Sequence, residues 1–308
     1  MSQFHEIISD KCPEYLFISG DNNGQYPFAN SLLIETDREK KSAILIDCGT
    51  GQEIIENIRK EYDIQSVYLS HWHEDHILNH QLLKNARFHC HVDDMKAIQD
   101  MGVFNELYGI KGTSIEEKFK LYLESLGLVP IPELDGFQEG DIIYSNGTSE
   151  VRVLHSPGHS VGHCCFHDPK NKIIFLSDMH SGEGFEAWYG CLDSNLLDFE
   201  SSVKKIMKLD IEHAITSHSG IFTGKEVGEK LNDILEIFNK RDERILELMS
   251  EKVPKTLQNL EDKHVVYKRY DKAFNYFKIA ESIMIKQHLT RLERLQKIVR
   301  KEDGYILV

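Results

Sequence analysis

A layered α/β domain followed by a small, mainly helical one is the fold class this sequence predicts, on three observations. Before residue 221, short β-rich runs alternate with helically spaced ones, the pattern of sheets covered by helices. From Lys225 onward the apolar spacing is helical almost throughout. The charge balance changes at the same place: residues 221–308 hold 18 Lys+Arg against 15 Asp+Glu, leaving 18 basic and 35 acidic residues before them. Units of 1–224 and 225–308 follow, and 308 residues suit one large domain plus a small one.

Taken in order, "YLFISG", "SLLIET" and "SAILIDCG" read as strands punctuated by Gly, Asn and Asp. The loop "GDNNGQYPF" between the first two has the Gly and Asn of a mobile hairpin, which either covers a site or only connects strands. "GQEIIENIRKEY" is helical, with Ile54, Ile55, Ile58 and Tyr62 on one face. "QSVYLSH" is a strand, "HILNHQLLKNA" a short helix and "ARFHCHVDD" a further strand. Four more strand-like runs follow Gly140, with turns at Asn146-Gly147 and Asp168-Pro169. "LLDFESSVKKIMKL" predicts a helix and "HAITSHSG" the last strand. Beyond it, Val227, Leu231, Ile234, Leu235, Phe238, Ile245 and Leu248 form a helical stripe that Pro254 breaks. Two further helices are expected in "FNYFKIAES" and "SIMIKQHLTRLERLQ", then a hairpin turning at Asp303-Gly304, the outline of a winged helix.

Composition narrows the classes. With 41% apolar and 28% charged residues the chain is ordinary for a folded protein. No apolar stretch is long enough to span a bilayer, and the first residues have no signal-peptide pattern, so a soluble, cytoplasmic protein without a membrane partner is expected. Six cysteines without a CxxC pair read as buried thiols.

Chemistry concentrates in "LSHWHEDHI", where a strand ends on three histidines and two acids. In His71-x-His73, alternate residues of an extended end point the same way, so both imidazoles reach one ion. Asp75 and His76 follow at a turn into a helix and face a neighbouring point. Imidazole and carboxylate are the ligands of zinc and similar metals, and four of them divided between two positions call for more from elsewhere. Three strand ends supply candidates: His159 in "HSPGHSVGH", Asp178 closing "IIFLSDM" and His218 in "AITSHSG". An acid ending an apolar strand needs something to compensate its charge.

This series, HxHxDH, then PGHSxGH, then Asp, then His, with Asp47 in "ILIDCGTG" ahead of it, resembles the metallo-β-lactamase superfamily. The resemblance implies an αββα sandwich with two divalent metal ions at one edge, Zn²⁺ first and Mn or Fe as alternatives. It implies His71, His73 and His159 on one ion, Asp75, His76 and His218 on the other, Asp178 bridging, and Asp47 orienting ligands from behind. The tail looks like the winged-helix extension of the β-lactamase-like protein 2 family, whereas the helical tail of glyoxalase II lacks that form. Two departures lie near the pocket: "HILNH" lacks the Gly that many relatives place after the fourth ligand, and Ser177 stands where Gly often precedes the bridging Asp.

Two ions sharing a carboxylate can also share a water, whose pKa would fall to ~7, and its hydroxide would attack a carbonyl or phosphoryl centre, with Asp75 steering it or receiving a proton. The reading is a dinuclear hydrolase of a small ester, thioester or lactone. Trp188, Tyr189 and His180 are candidates for the substrate pocket, with His80 as a further contact. A ribonuclease or phosphodiesterase is the alternative. Lys263, Lys268, Arg269, Lys272, Lys286, Arg291, Arg294, Lys297, Arg300 and Lys301 would meet phosphates, and Tyr267, Tyr270 and Tyr276 would stack on bases. The acidic main domain weighs against a polyanion. Self-association is left open.

Overall fold

The computed structural model describes residues 5–181, 186–261, 263–267 and 276–308. Its first half runs β1 (His5–Ile7), β2 (Tyr15–Ile18), β3 (Ser31–Asp37), β4 (Ser42–Ile46), α1 (Gln52–Glu61), β5 (Asp63–Leu69), α2 (Glu74–Ile77), β6 (Arg87–His91), α3 (Met95–Gln99), α4 (Met101–Leu107), α5 (Glu116–Ser125) and β7 (Asp135–Phe137). These strands form one sheet in chain order. It is antiparallel from β1 to β4 and parallel from β4 to β7. A parallel neighbour requires a crossover, and α1 provides the one between β4 and β5, burying Ile55 and Ile58 on the sheet.

The second half begins with β8 (Ile142–Ser145), β9 (Glu150–His155), β10 (Cys164–Asp168), β11 (Ile173–Ser177), α6 (Leu196–Ile206), β12 (His213–Thr216) and β13 (Gly220–Thr223). The sheet order is β13-β12-β11-β10-β9-β8, with β11 and β12 parallel across α6. The two sheets face each other. Leu32, Ile34, Ile44 and Ile46 of the first pack with Val153, Phe166, Phe175 and Ile215 of the second. The alternate residues Leu33, Leu45, Val67 and Leu69 turn to α1, α3, α4 and α5, as Ile174, Leu176 and Ala214 turn to helices on the far side. Strands buried on both faces read as unbroken apolar runs, which is why β3, β4 and β11 were legible. The molecule is the expected α/β, αββα sandwich.

The tail adds α7 (Lys225–Leu248), α8 (Leu257–Leu260), α9 (Tyr276–Arg294) and a hairpin of β14 (Ile298–Lys301) and β15 (Gly304–Leu307). Leu231, Phe238, Met284, Ile285 and Leu289 share one apolar cluster with Ile174, Leu176 and Phe199, so the tail packs directly on the second sheet. The hairpin turns at Glu302-Asp303, one residue before the expected pair, with Gly304 at φ 136 opening β15. Where two helices were expected, α9 is a single one. No Gly or Pro interrupts residues 276–294, and Ala280, Ile283 and Met284 are buried on either side of Ser282. The start of the predicted "FNYFKIAES" helix, Phe274 and Asn275, lies outside the described residues.

Elsewhere, "HILNHQLLKNA" is not one helix. Asn79 takes a left-handed φ of 67, ending α2, and a 3-10 turn covers His80–Leu82. Sequence reading passed over α5, β1, β7 and β13. Among the described residues no helix is long and apolar enough to cross a membrane.

Candidate metal centre

The C-terminal ends of β4, β5, β9, β11 and β12 meet at one edge of the sandwich, and each delivers a residue named from the sequence. Three overlapping buried triads form there, His71, His76 and Asp178 linking two that share no residue. In the first, His71 Nε2 lies 2.9 Å from His73 Nδ1, and His159 Nε2 lies 3.1 and 2.8 Å from those two atoms. In the second, His218 Nε2 lies 3.3 Å from Asp75 Oδ2, and His76 Nε2 lies 3.8 Å from Asp75 Oδ1. Asp178 stands between them. Its Oδ1 is 3.2 Å from His76 Nε2 and 3.3 Å from His218 Nε2, while Oδ2 is 3.5 Å from His159 Nε2. The seven residues proposed as ligands thus converge from four separate chain segments.

Backbone geometry aims them. Asp47 and Ser177 adopt positive φ, 59 and 54, at the ends of β4 and β11, a conformation that costs energy in non-glycine residues. The register of β11 against β12 shifts between Phe175 and Ser177, turning Asp178 toward the centre. Gly49 lies against the ligand loop so closely that a Cβ would stand 1.5 Å from the Asp75 carbonyl oxygen.

The residues fit divalent cations, judged by which ring nitrogens keep a lone pair. Nδ1 of His159 donates to the Trp188 carbonyl at 2.8 Å, Nδ1 of His218 to the Gly24 carbonyl at 2.6 Å, and Nδ1 of His76 to Asp47 Oδ2 at 2.7 Å. Carbonyls and carboxylates only accept, so in the neutral ring each Nε2 is left a bare acceptor aimed at the centre. Packing lone pairs this closely calls for a shared cation, and nitrogen with carboxylate oxygen is the zinc-type donor set. Charge agrees. Burial and neighbouring imidazoles hold His71 and His73 well below their ordinary pKa, the neutral form that ligates. His218 behaves oppositely: burial lowers it, yet Asp178 and Asp75 lift it to about 10. The second position carries a surplus of negative charge that a cation would balance.

The pocket candidates separate. Trp188 lines a cavity of about 900 Å³ that opens onto Asp75, His159, Asp178 and His218. Tyr189 points the other way, fully buried against Phe199 and Phe238 and hydrogen-bonded to His288 at 2.7 Å. His180, 5.9 Å from His218 between ring centres, is buried and absent from the cavity wall. His80 is also buried, donating to the Ile77 carbonyl. The loop "GDNNGQYPF" is tied down at two points, through Gly24 to His218 and through Tyr26 Oη to Glu74 Oε1 at 2.7 Å. Glu74 was not singled out in the sequence. It is buried, accepts from Tyr108 Oη as well, and is raised to about 7 by burial and Asp75. A charged residue inside a ligand motif was the signal available.

In the tail, Arg291 is buried against Asp242 and Glu200 and is no surface cation. Tyr267 and Tyr276 face the cavity. Lys263, Lys286, Arg294, Lys297, Arg300 and Lys301 are exposed, and Lys268, Arg269, Tyr270 and Lys272 lie outside the described residues.

Fold and site together define a hydrolytic enzyme of the αββα class with a centre suited to divalent cations. The chain belongs to the metallo-β-lactamase superfamily, whose sequence profile matches residues 26–218. The hydroxyacylglutathione hydrolase GloC of Haemophilus influenzae is 28% identical over 61% of this chain and 84% of its own. The β-lactamase-like protein 2 homolog of Drosophila melanogaster is 23% identical over 78% of this chain and 72% of its own. A β-lactamase domain protein from Burkholderia ambifaria superposes with a TM-score of 0.71 at 17% identity, covering 99% of this chain and 93% of that one. At that identity it speaks for the fold alone.

Proposed function

We propose that the protein is a thioester hydrolase that works with two divalent metal ions, zinc in the first instance. The observation that carries this is Asp178 set between the two triads, with one carboxylate oxygen toward each. His71, His73 and His159 would hold one ion, Asp75, His76 and His218 the other, and Asp178 both. Bound there, such ions lower the pKa of a water and polarise a carbonyl. Asp75, beside His218 in the cavity wall, would orient the attacking water and take up its proton. Trp188 and the aromatic wall exclude bulk water from the reacting carbonyl.

The thioester is chosen among esters, thioesters and lactones because the Haemophilus relative is named for hydrolysing one. The six cysteines, all free and buried, favour a reducing compartment such as the cytoplasm. We read α7–α9 and the β14–β15 hairpin as a winged-helix-type extension that serves the pocket.

The test is turnover of a hydroxyacylglutathione, an acyl-coenzyme A, a lactone, bis(p-nitrophenyl)phosphate and single-stranded RNA before and after chelation, with zinc, manganese or iron restored. We expect thioester cleavage that chelator abolishes and zinc restores. Asp178→Ala is expected to lose activity at least a thousandfold and about one bound metal equivalent. Preferential cleavage of the phosphodiester or RNA would overturn the reading.

A further inference from the structure

We propose that the cavity beside the metal centre is an acyl-chain pocket, so that the substrates carry a long or bulky apolar acyl group. The inference rests on the hydrolase reading and names the substrate class for it. At about 900 Å³ the cavity is near the top of the range for small-molecule sites. Eight aromatic rings from five parts of the chain build its wall. Tyr26 lies between β2 and β3, Tyr108 follows α4, Phe119 and Tyr122 lie on α5, Trp188 follows β11, and Tyr267, Tyr276 and Phe277 come from the tail.

These rings form one continuous surface. Tyr108 lies 4.9 Å from Phe119 and 5.3 Å from Tyr276 between ring centres, and Tyr267 lies 5.2 Å from Phe277. The wall reaches the ligands, since His73 is 5.3 Å from Trp188 and 5.7 Å from Tyr108. Most of its polar atoms are engaged elsewhere. Trp188 Nε1 donates to Tyr267 Oη at 2.8 Å, and Tyr108 donates to Glu74. The two terminal nitrogens of Arg241 are held by the Ala187 carbonyl, Tyr189 and Glu186, only its Nε lacking a partner, and Lys118 is exposed. What faces the cavity is therefore largely carbon. A short or hydroxylated acyl group would leave most of that surface wet and find few partners for its hydroxyl, whereas each added methylene gains by leaving water.

The experiment uses the intact, metal-loaded protein and two readouts. The first is kcat/KM for coenzyme A thioesters from acetyl to dodecanoyl. The second is the affinity for octanoate, decanoate and dodecanoate, read from tryptophan fluorescence. The carboxylate contribution is constant across the acids, so the slope reports the chain alone. We expect both to rise about fourfold per methylene until the cavity is full. Tyr122→Glu and Phe277→Glu, at partly exposed positions on the wall, should cut the dodecanoyl-to-butyryl ratio at least tenfold. Thioester cleavage that is flat or falling with chain length, with fatty-acid affinity flat as well, overturns the acyl pocket and leaves the hydrolase reading standing. Steep fatty-acid affinity without cleavage of any thioester upholds the pocket and sinks that reading instead.

Discussion

The Asp47 carboxylate receives three hydrogen bonds of 2.7 Å, from the Ser70 backbone N–H to Oδ1 and from Ser70 Oγ and His76 Nδ1 to Oδ2. Having spent its proton on Asp47, Ser70 Oγ is left to accept from His71 Nδ1 at 3.0 Å and from Ser177 Oγ at 2.7 Å. One buried acid therefore fixes the tautomers of two candidate ligands, and Ser177 gains a role in the same network. Asp47→Asn would set an amide donor against a donor. We expect the protein to fold and metal affinity to fall about 10–100-fold, measured by competition with a chromophoric chelator. His163 gives a prediction in pH. Burial, with His159 nearby, pushes it down to about 3. The unfolded chain, titrating near ~6.5, then binds the extra proton between those values, so this contribution is complete above pH ~6.5 and is lost as pH falls. Relative to His163→Gln, the protein should lose about 2 kcal/mol between pH 7.5 and 5, read from urea midpoints.

Strands and loops fix where those side chains arrive. The loop carrying His159 is seated on α6 through Gly158, whose φ is 135 and whose added Cβ would lie 2.3 Å from the backbone of Phe199. Both the conformation and the approach exclude a side chain. Gly158→Ala is expected to cost about 2–4 kcal/mol in denaturant unfolding and to lower bound metal, since His159 moves with the loop. Asn195 caps α6 by accepting from the N–H groups of Leu197 and Asp198, and its own N–H donates to the Gly158 carbonyl at 2.9 Å. The second ligand loop depends on α2, only four residues long, whose buried Glu74 is held by two tyrosines.

Across the whole molecule, the tail is fastened by buried charge as well as by apolar contact. Asp242 on α7 accepts from Arg291 and His288 of α9, while Arg291 also reaches Glu200 of α6 at 2.9 Å. Asp242 is 2% exposed and Arg291 5%. Removing one partner strands the other charge away from water. Asp242→Ala should therefore destabilise the fold by about 3–5 kcal/mol in urea unfolding. Because the tail supplies part of the cavity wall, loosening it should also reduce turnover of long acyl substrates more than short ones.

The convergence of the candidate metal-binding residues and the layered fold were legible because their signals are local. A strand announces itself by period and apolar run, and a His or Asp closing such a run beside Gly or Ser stands out without reference to anything distant. Most of the cavity was not legible. Trp188 stood out in the sequence, but Tyr108 and Phe119 look like any core aromatics, and only the packing of α9 across the edge of the sandwich sets Tyr276 against them. Trp188 and Tyr189 are neighbours in sequence, yet one faces the cavity and the other the core behind the second sheet. Arg291 read as a surface cation until α7 and α6 closed around it. The kind of chemistry at the centre can be read from short segments, because donor type and strand period are local properties. What surrounds that centre follows from long-range packing, because burial is set by segments far apart in the chain.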